Sequence, residues 1–539
     1  MNQSFDFIVV GAGTAGCVLA NRLTENGRHT VLLLEAGGTH RRFWVDMPMG
    51  FGKLFFDDSL NWNFTTEPNP NLGGRTDYWP RGKIVGGSSS INAMMYIRGH
   101  RQDYDDWAAA GNTGWSYDDV LPYFKKSEGN DKGADPYHGS DGPLKVSSID
   151  KVLHPTARMA LLSAWAAGHK PNSDFNGAAQ EGMGAYQFAF RNGRRCSSAV
   201  AFLEGIQRRK NLTVHTGATV NRVVFDSKRA SAVEYLQDGQ SYQAHARREI
   251  ILSAGSICSP AILQRSGIGQ RPLLQELGIP VIHAASAVGE NLQDHGQSWL
   301  IYKTSVPTLN NVLNSPIRQL LVGMQYLFLK NGPLALSVHQ VGGFARTRPE
   351  LQRPDTQLYF LPLSFATNPA KTSKSLKLDR FSGMWFGASP CRPESRGYLR
   401  IESTNPAKAP RIHSNLMSTE NDVRVMVDSL KILIQVAKTR PIADVIEARV
   451  RPGGGDMSDQ DLEKWVKESS KTIYHPTSTC IMGLDAHTSV VDARLRVHGV
   501  ERLRVVDASI MPTLISGNTN APTTMIGEKG AEMILEDSR

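Results

Sequence analysis

The first forty residues constrain the fold more tightly than any other stretch of the chain. Phe7-Ile8-Val9-Val10 is an unbroken apolar run, the composition of a strand buried on both faces of a parallel sheet. Gly11-Ala12-Gly13-Thr14-Ala15-Gly16 follows at once, and Cys17 to Leu23 reads as a helix with Val18, Leu19 and Leu23 on its apolar face. Gly27 is placed to end that helix in the left-handed conformation. Thr30-Val31-Leu32-Leu33-Leu34 then forms a second strand that closes in Glu35. In such a βαβ opening the first glycine permits the tight turn, the second lets a pyrophosphate approach the backbone, and the third lets helix and strand pack closely. The helix N-terminus offers its free N–H groups to phosphate. A carboxylate 19 residues after Gly16 stands where ribose hydroxyls can donate to it. The segment therefore predicts dinucleotide binding by Gly11, Gly13, Thr14, Ala15, Gly16, Glu35 and Ala36. It does not separate FAD from NAD.

Charge and cysteine usage exclude other classes. Sixty basic against 51 acidic residues leave a formal charge of +9, yet the clusters are short, such as Arg208-Arg209-Lys210, and scattered. No nucleic-acid stripe is present; the surplus permits weak attraction to anionic lipid or substrate. Five dispersed cysteines without a C-x-x-C pair form neither a disulfide framework nor a zinc site, so no metal is expected and the setting is reducing. The N-terminus carries no basic stretch followed by a long apolar one, which predicts no export signal. The expected location is the cytoplasm, with peripheral contact at the inner membrane left open. Leu320 to Leu329, between Arg318 and Lys330, is about half the length that spans a bilayer and is expected to be a core helix, with a membrane-contacting or substrate-entry helix as the alternative reading.

With 539 residues the chain accommodates two to four structural units at roughly 150 residues each. Leu212 to His215, Asn221 to Phe225 and Glu249 to Gly255 read as strands. After Asp294 the β/α regularity fades into a mixture that includes Gln357-Leu358-Tyr359-Phe360. The last seventy residues return to a strand at Leu503 to Asp507 and an amphipathic helix from Thr524 to Glu536. This pattern predicts one domain from residues 1–155, 195–300 and 466–539, into which a second, 156–194 and 301–465, is inserted.

Three further segments narrow the chemistry: Arg81-Gly82-Lys83-Ile84-Val85-Gly86-Gly87-Ser88-Ser89-Ser90-Ile91-Asn92; Gly255 to Gly269, with a helix expected to begin near Ser259-Pro260; and the C-terminal set Tyr474-His475-Pro476, Val505 to Pro512 and Gly517-Asn518-Thr519-Asn520-Ala521-Pro522. Together with the opening glycines these resemble the glucose-methanol-choline oxidoreductases, over nearly the whole chain and in the family's order. Trp79 to Lys83 and Tyr96 to His100 resemble the bacterial alcohol and choline dehydrogenase branch in particular. The resemblance implies an α/β protein, α+β overall: a Rossmann-type FAD-binding domain with an inserted substrate domain of mainly antiparallel sheet plus helix. It implies oxidation of a primary alcohol to the aldehyde, with oxygen or a quinone as electron acceptor.

Alcohol oxidation requires a base for the hydroxyl proton and a group that holds the oxygen. A neutral imidazole suits the first task near neutrality, and the family's active-site histidine falls on His475, which Pro476 keeps out of a helix. The family's second catalytic position falls on Asn518, whose amide can donate to the oxygen without adding a second cation. By the same resemblance Gly87, Ser88 and Asn92 approach the flavin and its ribityl chain, Val220 lies by the adenine, Asp507 and Ala508 serve the ribityl and diphosphate region, and Asn520 and Pro522 lie along the flavin ring. Relatives that attach FAD covalently do so through a histidine at the position of Ile91, so dissociable FAD is expected here. Choline dehydrogenases carry a glutamate where this chain has Gln340, and a quaternary ammonium is held by ring faces and negative charge; the neutral alcohol is therefore preferred, with choline as the alternative. Cys391-Arg392-Pro393 resembles a segment of the fatty-acid photodecarboxylases, but those lack the His-Pro and Asn pair, which leaves light-driven decarboxylation a minor alternative and Cys391 a structural thiol.

Overall fold

The computed structural model describes residues 3–366 and 377–538. Its first sheet has the strand order Leu212–His215, Val31–Leu34, Gln3–Val10, Gln240–Leu252, Arg229–Gln237, Thr219–Asp226, with Leu503–Val505 also pairing to Gln240–Leu252. The four pairings that involve Gln3–Val10, Val31–Leu34, Leu212–His215 and Leu503–Val505 are parallel, and the two on the far side are antiparallel. Phe7 to Val10 and Val31 to Leu34 are buried, because helices cover the parallel strands and leave no polar face. The first helix, Thr14–Thr24, lies against the final helix, Asn520–Asp537, where Gly527 lets the two backbones approach: a Cβ there would sit 3.1 Å from the Cα of Ala15. The amphipathic helix expected from Thr524 to Glu536 is present and begins earlier, at Asn520, and it is covered on more than one side. Residues 521–531 are all buried, since Thr14–Thr24 covers one side of it and the helix Tyr117–Ser127 another. Its charges are met internally, Glu528 by a paired hydrogen bond from Arg22 at 2.8 Å.

The second sheet is antiparallel throughout, in the order Ile446–Arg451, Gly296–Thr304, Gly383–Pro390, Thr356–Leu361, Val341–Ala345, Gly182–Ala185, with Lys471–Thr472 added to Gly296–Thr304. The expected segment boundary at 300/301 falls inside the strand Gly296–Thr304 and that at 465/466 inside the helix Asp459–Ser469; cross-strand hydrogen bonding, not local periodicity, joins Gly296–Thr304 and Lys471–Thr472 to this sheet. Alternation along the strands gives the sheet two unlike faces. Leu300, Phe360 and Phe386 belong to the core on the side covered by the helix Glu420–Ala437. Trp299, Tyr359, Leu361 and Trp385 line a large cavity. The register opposes Gly387 to both Trp299 and Tyr359. A Cβ on Gly387 would lie 1.9 Å from the Trp385 ring, so this glycine makes the space the indole occupies.

Two other expectations are corrected. The helix of the Gly255 segment begins at Gly255 and runs to Arg265 with Pro260 inside it; Asp507, accepting the Gly255 backbone N–H at 2.8 Å, secures a start that the sequence alone places later. Leu320 to Leu329 is indeed helical, within Pro316–Leu329, but Tyr326 is its one buried side chain. Leu320 is 63% exposed and Phe328 82%. The apolar stretch faces outward, so it is not a core helix.

Candidate active site

The cavity, of about 610 Å³, runs between the C-terminal ends of the parallel strands and the inner face of the second sheet. At one end are Gly11, Glu35, Ala36 and Val220, along its length Gly13, Thr14, Ala15, Gly87, Ser88, Asn92, Asp507, Ala508 and Asn520, and at the other end His475 and Asn518 facing the aromatic wall. Every residue proposed from the sequence lines it except Gly16 and Pro522. Gly16 is turned into the helix–strand contact, where a Cβ would meet the Gly11 carbonyl oxygen at 1.9 Å. Pro522 is buried in the first turn of the Asn520–Asp537 helix, a position where its missing N–H breaks no helical bond.

The nucleotide end is built from backbone. Gly11 has φ +98°, a turn that side-chain-bearing residues resist, and no side chain caps the Thr14–Thr24 helix, which leaves its N-terminal N–H groups facing the cavity. Gly87, at φ +54°, lies so close that a Cβ would be 2.8 Å from the Cα of Gly13. The Glu35 carboxylate accepts the backbone N–H groups of Ala12 at 2.9 Å and Gly37 at 2.8 Å, and burial pushes its pKa up to about 7 against those bonds. Asp507 is occupied by the protein itself: it accepts from Gly255 N, Ser259 Oγ, Ser509 N and Ser509 Oγ at 2.6 to 2.8 Å. Asn92 Oδ1 accepts from Arg195 and from the Met94 backbone, each at 2.9 Å.

At the other end His475 and Asn518, 43 positions apart, meet: Asn518 Nδ2 lies 3.1 Å from His475 Nε2. Gln357 Nε2 donates to Asn518 Oδ1 at 3.4 Å, which turns the amide nitrogen toward the imidazole. The other imidazole nitrogen, His475 Nδ1, is 2.9 Å from His295 Nδ1, and His295 Nε2 is 2.9 Å from the Cys391 carbonyl oxygen. A carbonyl only accepts, so His295 carries its proton on Nε2 and presents a bare Nδ1. His475 must then donate from Nδ1, which leaves its Nε2 lone pair toward Asn518 and the cavity. Burial, together with His295 and the Arg81 cation, holds the His475 pKa well below the ordinary imidazole value, and burial brings His295 down to about 4. Both rings are neutral near pH 7.

The loop that carries His475 is secured from three sides. Asp294 accepts the His475 backbone N–H at 2.7 Å and the Thr472 hydroxyl, and burial pushes its pKa up to about 7. Arg81 donates to the Tyr474 carbonyl at 2.8 Å. Tyr474 has φ +70°, a left-handed conformation uncommon for a bulky residue. Asp294, His295 and Gln357 were not anticipated from the sequence. The run Asn291-Leu292-Gln293-Asp294-His295 at the start of a strand offered a signal, because an adjacent acid and histidine entering a buried strand need partners.

The two sequence departures fall elsewhere. Gln340 is buried, with Oε1 accepting the His154 backbone N–H at 2.7 Å, and does not line the cavity. Cys391 is buried in the core of the second sheet; burial pushes its thiol pKa up, and its carbonyl, not its sulfur, serves His295.

The chain resembles known proteins along its whole length. The GMC oxidoreductase N-terminal profile matches residues 5–297 and the C-terminal profile residues 393–527. A mitochondrial choline dehydrogenase of Mus musculus is 41% identical over 540 residues, 99% of this chain and 89% of that one. An oxygen-dependent choline dehydrogenase of Ectopseudomonas mendocina is 41% identical over 543 residues, 99% of this chain and 95% of that one. Among solved structures, a formate oxidase variant of Aspergillus oryzae RIB40, studied for its effect on FAD modification, superposes with a TM-score of 0.90 at 25% identity, covering 99% of each chain. The nucleotide cradle, the aromatic second sheet and these full-length likenesses have one conclusion: the chain belongs to the GMC oxidoreductase family and is an FAD-dependent oxidoreductase acting on CH–OH donors.

Proposed function

We propose that the protein oxidises an uncharged primary alcohol with an apolar or aromatic body to the aldehyde, with His475 as the base and Asn518 as the donor to oxygen. The residues fit FAD. Gly13 and Gly87 form a cradle so close that a Cβ on Gly87 would lie 2.8 Å from the Gly13 Cα, the uncapped helix faces it, Glu35 has acceptor capacity left for ribose hydroxyls, and Ile91, lining the wall, offers no atom for a covalent link. Bound FAD supplies the acceptor for the hydride that leaves the carbinol carbon. The single observation that carries the reading is the 3.1 Å pairing of His475 Nε2 with Asn518 Nδ2. An alcohol hydroxyl both donates and accepts, so it can bridge this pair, donating to the imidazole lone pair while accepting from the amide. His475 then takes the proton at Nε2, and Asn518 stabilises the charge that develops on oxygen.

The substrate end supports a neutral molecule. Trp299, Tyr359 and Trp385 supply ring faces, Lys471 Nζ lies 4.8 Å over Trp299, and Arg451 also lines the wall. Among the described lining residues the carboxylates are Glu35 and Asp507, engaged at the nucleotide end, and the exposed Glu468. Arg451 is paired with Asp379, so a quaternary ammonium at this end would find ring faces but no buried carboxylate among the described wall residues to balance its charge. A choline reading is nevertheless favoured by full-length relatives named as choline dehydrogenases. Anaerobic mixing with choline and with a panel of neutral alcohols tests both: bleaching of the flavin by neutral alcohols at least tenfold faster than by choline supports the first reading, and the reverse order supports the second. His475→Ala is expected to retain FAD and to slow flavin reduction by at least ~100-fold, the usual weight of a general base. An unchanged rate removes His475 from the reaction. Reoxidation by air and, separately, by a quinone analogue then assigns the electron acceptor.

A further inference from the structure

Fifteen large apolar side chains are exposed among the described residues, and nine of them form one patch: Ile317, Leu320, Leu321, Met324, Leu327, Phe328 and Leu329 on the Pro316–Leu329 helix, with Phe43 and Trp44 beside it. The spacing 317, 320, 321, 324, 327, 328 is the stripe by which a helix normally packs onto a core. Here that stripe points away from the protein. The helix is anchored by Tyr326 on its opposite side, which packs with Met47 and Ala335 and makes an edge contact with Phe43 at 6.2 Å.

The rim of the patch is cationic. Arg318 and Lys330 bound the stripe, with no acidic residue between positions 316 and 331. Arg41, Arg42 and Lys53 lie exposed on the adjoining segment, with the Lys53 ammonium 3.7 Å over the Trp44 ring. Arg194 is exposed on the turn that abuts the helix end, where a Cβ on Gly193 would touch the Lys330 carbonyl. The same regions, 40–59 and 190–205, carry Asp46, Asp57, Asp58 and Glu204, so cations predominate without being alone. A helix of 14 residues is about 21 Å long, too short to cross a bilayer but suited to lying in its interface with apolar side chains down and basic ones among the headgroups. Trp44 and Phe43 extend the apolar surface at the level where aromatic rings favour the interface.

We infer that this helix and the Phe43-Trp44 edge dock the protein on an anionic lipid bilayer. A second copy of the chain is the less favoured occupant, because a two-fold interface would set the basic rim of one patch against the same rim of the other. An anionic headgroup layer is complementary to the rim and takes up the apolar stripe as well. The docked surface also lies beside the cavity, since Phe51 and Phe55, a few residues beyond Trp44, line its wall.

The test is flotation of the FAD-loaded full chain with vesicles of phosphatidylcholine containing about a third phosphatidylglycerol, or of phosphatidylcholine alone. The wild type is expected to float with the anionic vesicles, with at least tenfold weaker binding to the neutral ones and to anionic ones in high salt. Burying a large side chain is worth ~10-fold or more, so the double variant Leu320→Ser, Phe328→Ser should lose at least ~100-fold in partition. Leu484→Ser, which removes an equally exposed leucine elsewhere (72%), should lose none. The flavin spectrum and soluble-alcohol turnover of each variant verify that it folds. Wild type that stays at the bottom with every vesicle, or a double variant that floats as well as wild type, overturns the inference. A wild-type dimer that the double variant splits, without vesicle binding, overturns it in favour of a second copy.

Discussion

Replacing His295 by leucine removes the acceptor of the His475 Nδ1 proton, 2.9 Å away, and leaves the rest of the wall in place. A buried donor left without a partner costs about 1–3 kcal/mol. The imidazole relieves that cost by moving its proton to Nε2, where Asn518 Oδ1 could accept it after an amide flip. That shift hides the lone pair on which proton abstraction depends. Restoring the reactive tautomer then consumes the same 1–3 kcal/mol, which corresponds to about 5–150-fold in rate. His295→Gln offers a side-chain carbonyl to the same proton and should recover to within about tenfold of wild type. The assay is anaerobic stopped-flow reduction of the bound flavin by a saturating alcohol. The loss should appear in the limiting reduction rate, with the alcohol dissociation constant and the flavin spectrum little changed. Since both rings are neutral near pH 7, the loss should persist as a lowered plateau from pH 7 to 9 and not vanish at high pH. A leucine variant that reduces its flavin at the wild-type rate, or a glutamine variant as slow as leucine with FAD intact, would refute the tautomer argument.

Two other outcomes follow from the geometry. Gly87→Ala places a methyl 2.8 Å from the Gly13 backbone at φ +54°, and because neither side is a flexible side chain the cradle must open; the variant is expected to purify largely without FAD, as read from the flavin-to-protein absorbance ratio, and full occupancy would contradict the contact. His339, with Nδ1 lacking a partner among the described residues, is drawn by burial to about 4. As pH falls below its unfolded value of about 6.5 the unfolded chain takes a proton that the fold refuses, so stability declines from about pH 7 to pH 4, by about 2 kcal/mol at pH 5 from this group. His339→Phe should narrow the difference in unfolding free energy between pH 7 and pH 5 by that amount, and an unaltered difference in denaturant titrations would dispose of the assignment.

What could be read from the sequence divides along a physical line. The βαβ opening is local: strand, glycine turn, helix and Glu35 lie within 35 residues, each held by its own neighbours in the chain, and the structure reproduces them to within a few positions. His475 and Asn518 were legible because their segments resemble a family, not because anything in the spacing brings them together. His295, Asp294 and Gln357 were missed, since their importance lies in partners 96 to 181 positions away. The helix Pro316–Leu329 shows the limit most plainly. Its apolar stripe is unmistakable in the sequence, but periodicity defines a face without saying which way it points.

The sequence by itself determined the βαβ opening of the nucleotide-binding sheet, because backbone conformation at glycines and continuous apolar strands depend on residues adjacent in the chain. Only the tertiary structure decided which nitrogen of His475 is left without a proton, which rings line the cavity and that an apolar helix lies on the surface. Each of these depends on contacts between segments far apart in the chain, whose free energies exist only once the two sheets have closed around the cavity.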